Sequence, residues 1–500
     1  MNHILHACMF TSSIRMLSSA ALLAVLAISI EPPATVHAAT LTVTTVEDTS
    51  DGRCGPPDCS LREAIAAAAP GDTIEFDRDL RGQAILLESE LMIDKDLTIM
   101  GPDDPFIFGG EPIAISGQRQ VRVFNIATGN VTLSRLIVLD GQADVGGGIL
   151  VAPVASLILQ TILLWNNSAS VQGGGIFNSG EVRIQDSDLL DNAVCRAPVC
   201  PGADEQTDNP AGGGIFNDQS GFLRIADSLI NQNHVYAGDT EVGKGGGIYN
   251  EGTLKVITSY FYENIVTGSE GQGGGLFNSG TARLKDDALS YNLAIGGGGG
   301  GIQNTGILTV LNSTINNNWA GFLHGGGILN EGLLFLNNDT ITQNRSLGPL
   351  DVFGTGGGVA NDRRVLIWNT ILANNYSRND YRRLERIDNC HGTALDSRGH
   401  NLLGIGCSDS QTTDLTVDDS NPDNVGLAGL SFHYSWGLPT FVLSPNSPAV
   451  DHGSPIIAPY SSELYGCEST DQRGVQRPED GNEPPDGQAV CDIGAYERQP

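Results

Sequence analysis

The phrase GGGIFNSG at residues 173–180 returns along this chain as GGGIFND from 212, GGGIYNEG from 245, GGGLFNSG from 273, GGGIQNTG from 299, GGGILNEG from 325 and GGGVAND from 356, with a looser GGGIL from 146. A glycine loop that cradles a phosphate is built once and opens a helix, whereas a phrase repeated at a short period is the mark of a solenoid. The spacing from the first Gly of a triplet to a later Asn is fixed: Gly173 to Asn192, Gly245 to Asn264, Gly273 to Asn292, Gly299 to Asn318, Gly325 to Asn344 and Gly356 to Asn375, with Gly212 to Asn233 two residues longer. Apolar residues keep one register inside each block, as in Ile176, Val182, Ile184 and Leu189, or Ile302, Leu308, Val310 and Ile315. Alternation over such short runs is the strand period. The expected fold is all-β, a right-handed parallel β-helix of about ten coils with about three short strands per turn, each coil burying its apolar row on the next.

In that fold the triplet is a corner at which backbone meets backbone with no room for Cβ. Asn178, Asn217, Asn250, Asn278, Asn304, Asn330 and Asn361 share one register, and Asn192, Asn233, Asn264, Asn292, Asn318, Asn344 and Asn375 share another. Asn at such bends tolerates left-handed backbone, and its amide can pair with the coils above and below. The same logic disposes of Asp286 and Asp287 as the paired carboxylates of sugar hydrolysis. Their registers are filled elsewhere by Asp186 and Ser187, Asp227 and Ser228, Asn312 and Ser313, and Asn338 and Asp339, so turn polarity explains them.

What varies is the stretch after the second Asn: SASVQ from 168, AVCRAPVCPGADEQTDNPA from 193, HVYAGDTEVGK from 234, IVTGSEGQ from 265, LAIGGG from 293, WAGFLH from 319 and RSLGPLDVFGT from 345. Every insertion falls at one corner, so all project from one edge, and function is expected there. With 58 acidic against 27 basic residues the surface field repels polyanions, which argues against nucleic acid and anionic lipid as partners. An acidic polysaccharide could bind only through a local basic patch or a bridging cation. The residues expected to hold a glycan are Asp204, Asp208, Tyr236 and Asp239 on the 193–272 loops, with Trp319 and Phe322 able to stack on a sugar ring. A polysaccharide lyase, the alternative implied by the β-helix resemblance given below, would have to neutralise a uronate carboxylate, through calcium or Arg, and remove a proton with a base. Lys244, His234 and Glu241 are the catalytic candidates on that reading, and calcium is the one cofactor it calls for.

The N-terminus carries the apolar run MLSSAALLAVLAISI followed by small residues at Val36 and Ala38, the pattern of a secretory signal. Residues 1–38 are therefore expected to be removed, leaving a secreted monomer without a membrane span. Removal takes Cys8 and leaves Cys54, Cys59, Cys195, Cys200, Cys390, Cys407, Cys467 and Cys491. Their even number suits an oxidising destination, and nearest-neighbour pairing gives four disulfides: Cys54–Cys59, Cys195–Cys200, Cys390–Cys407 and Cys467–Cys491. Near the start, Ser60 and Glu63 form a capping box ahead of an alanine-rich helix that Pro70-Gly71 ends, a cap for the first coil.

The motif CSLREA at 59–64 resembles that of the CSLREA domains. SPAVDHGS at 447–454, DQRGVQRP at 471–478 and CDIGAYE at 491–497 resemble the choice-of-anchor Q domain, and the stretch between is similar to the pectate-lyase-like β-helix. The resemblance implies an exported bacterial envelope or extracellular protein of a family whose activity is mostly unassigned. It divides the chain into a signal (1–38), an N-terminal cap with the first strands (39–100), the repeated coils (101–376), and a last coil with a C-terminal cap (377–500). Asp471, Arg473, Asp492 and Glu497 are read as staples of that cap, helped by a Cys467–Cys491 bridge. The expected function is carbohydrate binding or adhesion without catalysis. The alternative is a polysaccharide lyase or hydrolase acting on acidic glycans, with its site on the 193–272 loops.

Overall fold

Each full coil makes four short strands, one more than the repeat predicts. In the coil opened by Gly173 they are Ile176–Asn178, Glu181–Gln185, Asp188–Leu190 and Ala193–Val194. The fourth is hard to see in a sequence because it turns a single residue inward per coil. Those residues, Ala169, Val194, Val235, Val266 and Ala294, pack into a small cluster of their own. The structure is a computed structural model that describes residues 38–106, 110–195, 210–238, 240–322, 324–348, 352–379, 383–408, 411–433, 437–457, 466–482, 485 and 487–499.

Strands of successive coils pair in parallel and in register, forming four long sheets. Numbered in the order the chain visits them from the glycine corner, the first has 11 strands, the second 13, the third 13 and the fourth 10. Stacked strands run from Thr40–Val43 to Leu415–Thr416, and at about 4.8 Å per rung the solenoid is roughly 60 Å long. Inward positions hold the predicted apolar rows: Ile176, Val182, Ile184 and Leu189 are at most 1% exposed, as are Ile248, Leu254, Val256 and Phe261.

The corners explain the repeat. Gly173 has a φ of 66°, and a Cβ on Gly174 would lie 2.3 Å from the carbonyl oxygen of Ala193 and 2.4 Å from that of Gly213. One glycine supplies the left-handed turn and the next the close approach of coils. Beyond the corner, the Asn amides form continuous ladders. From Asn167 through Asn192, Asn233, Asn264, Asn292, Asn318, Asn344 and Asn375 to Asn389, each Nδ2 donates to the next Oδ1 at 2.9–3.1 Å. A second ladder joins Asn178, Asn217, Asn250, Asn278, Asn304, Asn330 and Asn361 at 2.7–2.9 Å. The left-handed backbone is not on these asparagines. It falls on the residue just before the first ladder, at Asp191 (φ 53°), Gln232 (51°), Glu263 (51°) and Tyr291 (59°), and the Asn that follows each is fully buried. Between the second and third sheets a third ladder runs through hydroxyls and carboxylates. The Ser259 N–H donates to Asp287 Oδ1 at 2.7 Å, Asp287 N–H to Ser313 Oγ at 3.1 Å, and Ser313 N–H to Asp339 Oδ1 at 2.9 Å, so Asp287 is a structural acid.

The N-terminal helix, Leu61–Ala67, has the expected capping box, with Leu61, Ala64 and Ile65 in the core. The C-terminal segment packs along the flank of the solenoid. Ala449, Val450 and Ile493 meet Ile371 and Leu402 on the outside of the third sheet, Gln472 bonds Thr314 at 2.6 Å and the Asp287 carbonyl at 2.9 Å, and Asn337 donates to the Gly466 carbonyl at 3.0 Å. Arg473 pairs with Asp471 at 2.6 Å and lies 3.6 Å over the Tyr496 ring, while Arg477 and Glu497 are fully buried partners at 3.5 Å. Disulfides join Cys54–Cys59, Cys390–Cys407 and Cys467–Cys491. Cys195 is disulfide-bonded as well, and its expected partner Cys200 lies outside the described residues. Among the described residues no helix is long and apolar enough to cross a membrane.

Candidate functional site

The variable stretches all leave the fourth sheet and return at the glycine corner, so the fourth sheet's outer face lies at their base. Because Val235, Val266, Ala294 and Ala320 point inward, their neighbours point out. One outward column follows from the register: Ala193, His234, Ile265, Leu293, Trp319, Arg345 and Tyr376. His234 and Trp319 are three rungs apart, roughly 14 Å. The next outward positions carry Tyr236 and Ile295. The face and its borders keep large apolar surface in water: Trp319 is 38% exposed and Ile295 40% on the face, with Phe322 at 44% and Tyr291 at 47% beside it.

A polar edge borders this surface where the third sheet turns into the fourth. The Trp165 indole N–H donates to Asp191 Oδ2 at 3.3 Å, and Gln232 donates to Glu263 at 3.0 Å. The His234 and Tyr236 rings stack, 5.2 Å between centroids and 3° apart in plane. Burial holds the His234 imidazole below its ordinary pKa, opposed by the Asp191 carboxylate. Burial, helped by the same carboxylate, raises the Tyr236 phenol. Farther along, Arg345 lies 5.7 Å over the Tyr376 ring and pairs with Glu385 at 2.9 Å. Flat rings beside carboxylates and amides offer a sugar both a stacking surface and partners for its hydroxyls.

Of the residues expected from the sequence, His234, Tyr236 and Trp319 share this face, and Phe322 stands just beyond it. Lys244 and Glu241 do not. Lys244 stands immediately before the glycine triplet, in register with Ala211 and Gln272, with its Nζ 5.0 Å from the Phe277 ring. Phe277 closes a buried stack with Phe177, Phe216 and Tyr249 on the outside of the first sheet. Glu241 folds back to accept from the Gly238 N–H at 3.0 Å. Asp204, Asp208 and Asp239 lie outside the described residues. Trp165, Asp191, Tyr291, Ile295, Arg345 and Tyr376 escaped sequence reasoning, although period-two alternation carried past the second Asn would have placed the last three. For calcium, the described residues contain no group of three or more His, Cys, Asp or Glu arranged to hold a metal.

No protein-family profile matches the chain, and no curated protein does. Among solved structures it is similar to pectate lyase Pel9A, with 14% identity over 92% of this chain and 96% of that one and a TM-score of 0.42. It is also similar to an alginate lyase of the PL6 family, with 13% identity over 88% of this chain and 58% of the other and a TM-score of 0.40. A third likeness is to tailspike protein 3 of bacteriophage CBA120, with 11% identity over 76% of this chain and 63% of the other and a TM-score of 0.21. Scores this low carry no residue assignment from one chain to another. The fold and the site define a parallel β-helix that displays one face at the base of its variable edge.

Proposed function

We propose that this is an exported carbohydrate-binding protein that holds a glycan chain against the outer face of its fourth sheet, without catalysing a reaction. The observation that supports this most is the column from His234 to Tyr376: exposed Trp319 in line with half-buried rings and apolar side chains along the solenoid, edged by Asp191, Gln232 and Glu263. Such a face suits a polymer, because identical rungs repeat beneath it. Disulfides support an oxidising destination. A lyase would require Lys244, His234 and Glu241 to converge on one sugar, whereas their side chains are engaged at Phe277, Tyr236 and Gly238 respectively. A glycan array probed with the mature chain and with Trp319→Ala tests the reading, and a lyase assay with and without calcium tests the alternative.

A further inference from the structure

The second sheet carries an arrangement that a stability argument alone does not account for. Parallel register places Arg183, Arg224, Lys255 and Arg283 in one outward column on four consecutive rungs. Of the seven Lys and Arg between residues 173 and 290, four stand in this one line. Like charges directly opposite one another on neighbouring strands repel, and here they recur at about 4.8 Å. Among the described residues the ion pairs lie at the margins. Glu181 pairs with Arg183 at 2.7 Å, and Glu468 pairs with Lys285 at 2.8 Å in the adjacent column. Among the described residues neither Arg224 nor Lys255 has an ion-pair partner, and Lys255 lies 5.7 Å over the Phe222 ring. The columns to either side are largely uncharged, with Phe222, Thr253 and Thr281 on one flank and Gln185, Ala226 and Ile257 on the other. A depression of about 430 Å³ opens between Arg183, Phe222 and Arg224, with Asp227 on its rim.

We propose that this column is a binding track for an extended polysaccharide bearing about one anionic group, carboxylate or sulfate, per rung spacing. Periodicity and charge point to this occupant. Duplex nucleic acid presents one charge per ~1.7 Å of axis, far denser than the column, and the chain's net charge of −31 repels it at longer range. An extended glycan with sparse charges matches the column rung by rung, and the Phe222 ring and Thr hydroxyls flank its path. The track is on a different sheet from the aromatic face and is independent of it.

The test is titration of the mature protein with polygalacturonate and with a dextran sulfate substituted at about one sulfate per glucose, to match one charge per rung, alongside neutral dextran and duplex DNA, at low and high salt. Binding to at least one anionic polysaccharide, weakened by salt and reduced tenfold or more in the Arg224→Gln/Lys255→Gln double variant, is the expected result; the polymer that binds tighter identifies carboxylate or sulfate as the group recognised. The Arg224→Lys/Lys255→Arg variant should retain binding, and the glutamine variant should keep its strand circular dichroism and its binding at the Trp319 face. Unchanged affinity in the glutamine variant, absence of binding at low salt, or duplex DNA binding as tightly as the anionic polysaccharides would each overturn the proposal. Trp319→Ala should leave this binding intact, which separates its failure from failure of the aromatic face.

Discussion

The Asn318 side-chain amide donates to Oδ1 of Asn344 at 2.9 Å while its own Oδ1 accepts from both the backbone and the side chain of Asn292, at 3.0 and 2.9 Å. Asn318 also donates to the Leu289 carbonyl at 2.8 Å, and its side chain is wholly buried. Replacing Asn318 by Ala leaves the buried Asn292 backbone N–H without its acceptor and takes a donor from the Leu289 carbonyl, while Asn344 Oδ1 keeps only the Asn318 backbone N–H at 3.0 Å. Each unsatisfied buried group costs about 1–3 kcal/mol, so the loss should reach roughly 2–4 kcal/mol. A shift of the urea midpoint to lower concentration checks this; an unchanged midpoint would show that the ladder is not a source of stability.

The buried acids set an unusual pH dependence. Burial pushes Asp287 and Asp339 well above the usual carboxylate range and raises Asp286 and Asp188 to about 6. Burial, together with the neighbouring Glu497, raises Asp492 too. For each, the folded chain binds a proton that the unfolded chain has already lost above about pH 4, so this stability is complete below that pH and declines as pH rises through the folded values. Glu63 and Asp396 run the other way: hydrogen bonds hold them low, and their contribution disappears only as pH falls through those lowered values. Thermal midpoints should therefore be higher at pH 5 than at pH 8. Asp287→Ser, which restores the hydroxyl found at Ser259 and Ser313, should flatten the slope. A midpoint that climbs steadily from pH 5 to 8 would refute the assignment.

The C-terminal segment, packed on the outside of the third sheet, is cross-linked within itself by Cys467–Cys491, which closes a loop of 24 residues. Opening such a loop costs about 3 kcal/mol in the chain-entropy account. Reduction, or Cys467→Ser with Cys491→Ser, should expose the segment after residue 420 to protease while coils between Gly173 and Asn375 stay protected. In the oxidised protein, peptide mapping should link Cys195 to Cys200, and thiol titration under denaturing conditions should find no free thiol. Two free thiols would contradict the pairing.

The repeat made most of the fold legible because glycine and buried Asn answer constraints that few other residues meet: Gly174 has no space for Cβ, and only a side-chain amide both donates along a ladder and accepts. What stayed hidden has a physical reason in each case. The left-handed corner before the Asn ladder tolerates Asp191, Gln232, Glu263 and Tyr291 alike, because those side chains face water and the sequence is left unconstrained. The fourth strand buries one small residue per coil, too little for a periodic signal. Site residues split along the same line. Aromatic rings in a variable stretch, such as Trp319, stand out by type, while the cationic column of Arg183, Arg224, Lys255 and Arg283 becomes visible only once register places residues 28 to 41 apart beside one another.

Isothermal titration of the mature chain and of Trp319→Ala with a neutral glycan selected on an array tests the central claim most directly. Loss of one exposed stacking ring should weaken binding about tenfold, equivalent to ~1.4 kcal/mol, with the thermal midpoint unchanged because Trp319 is 38% exposed and outside the core. The account predicts that loss, no release of unsaturated or reducing products, and a matching loss in His234→Ala. Glycan affinity that is the same in the wild type, Trp319→Ala and His234→Ala would contradict it.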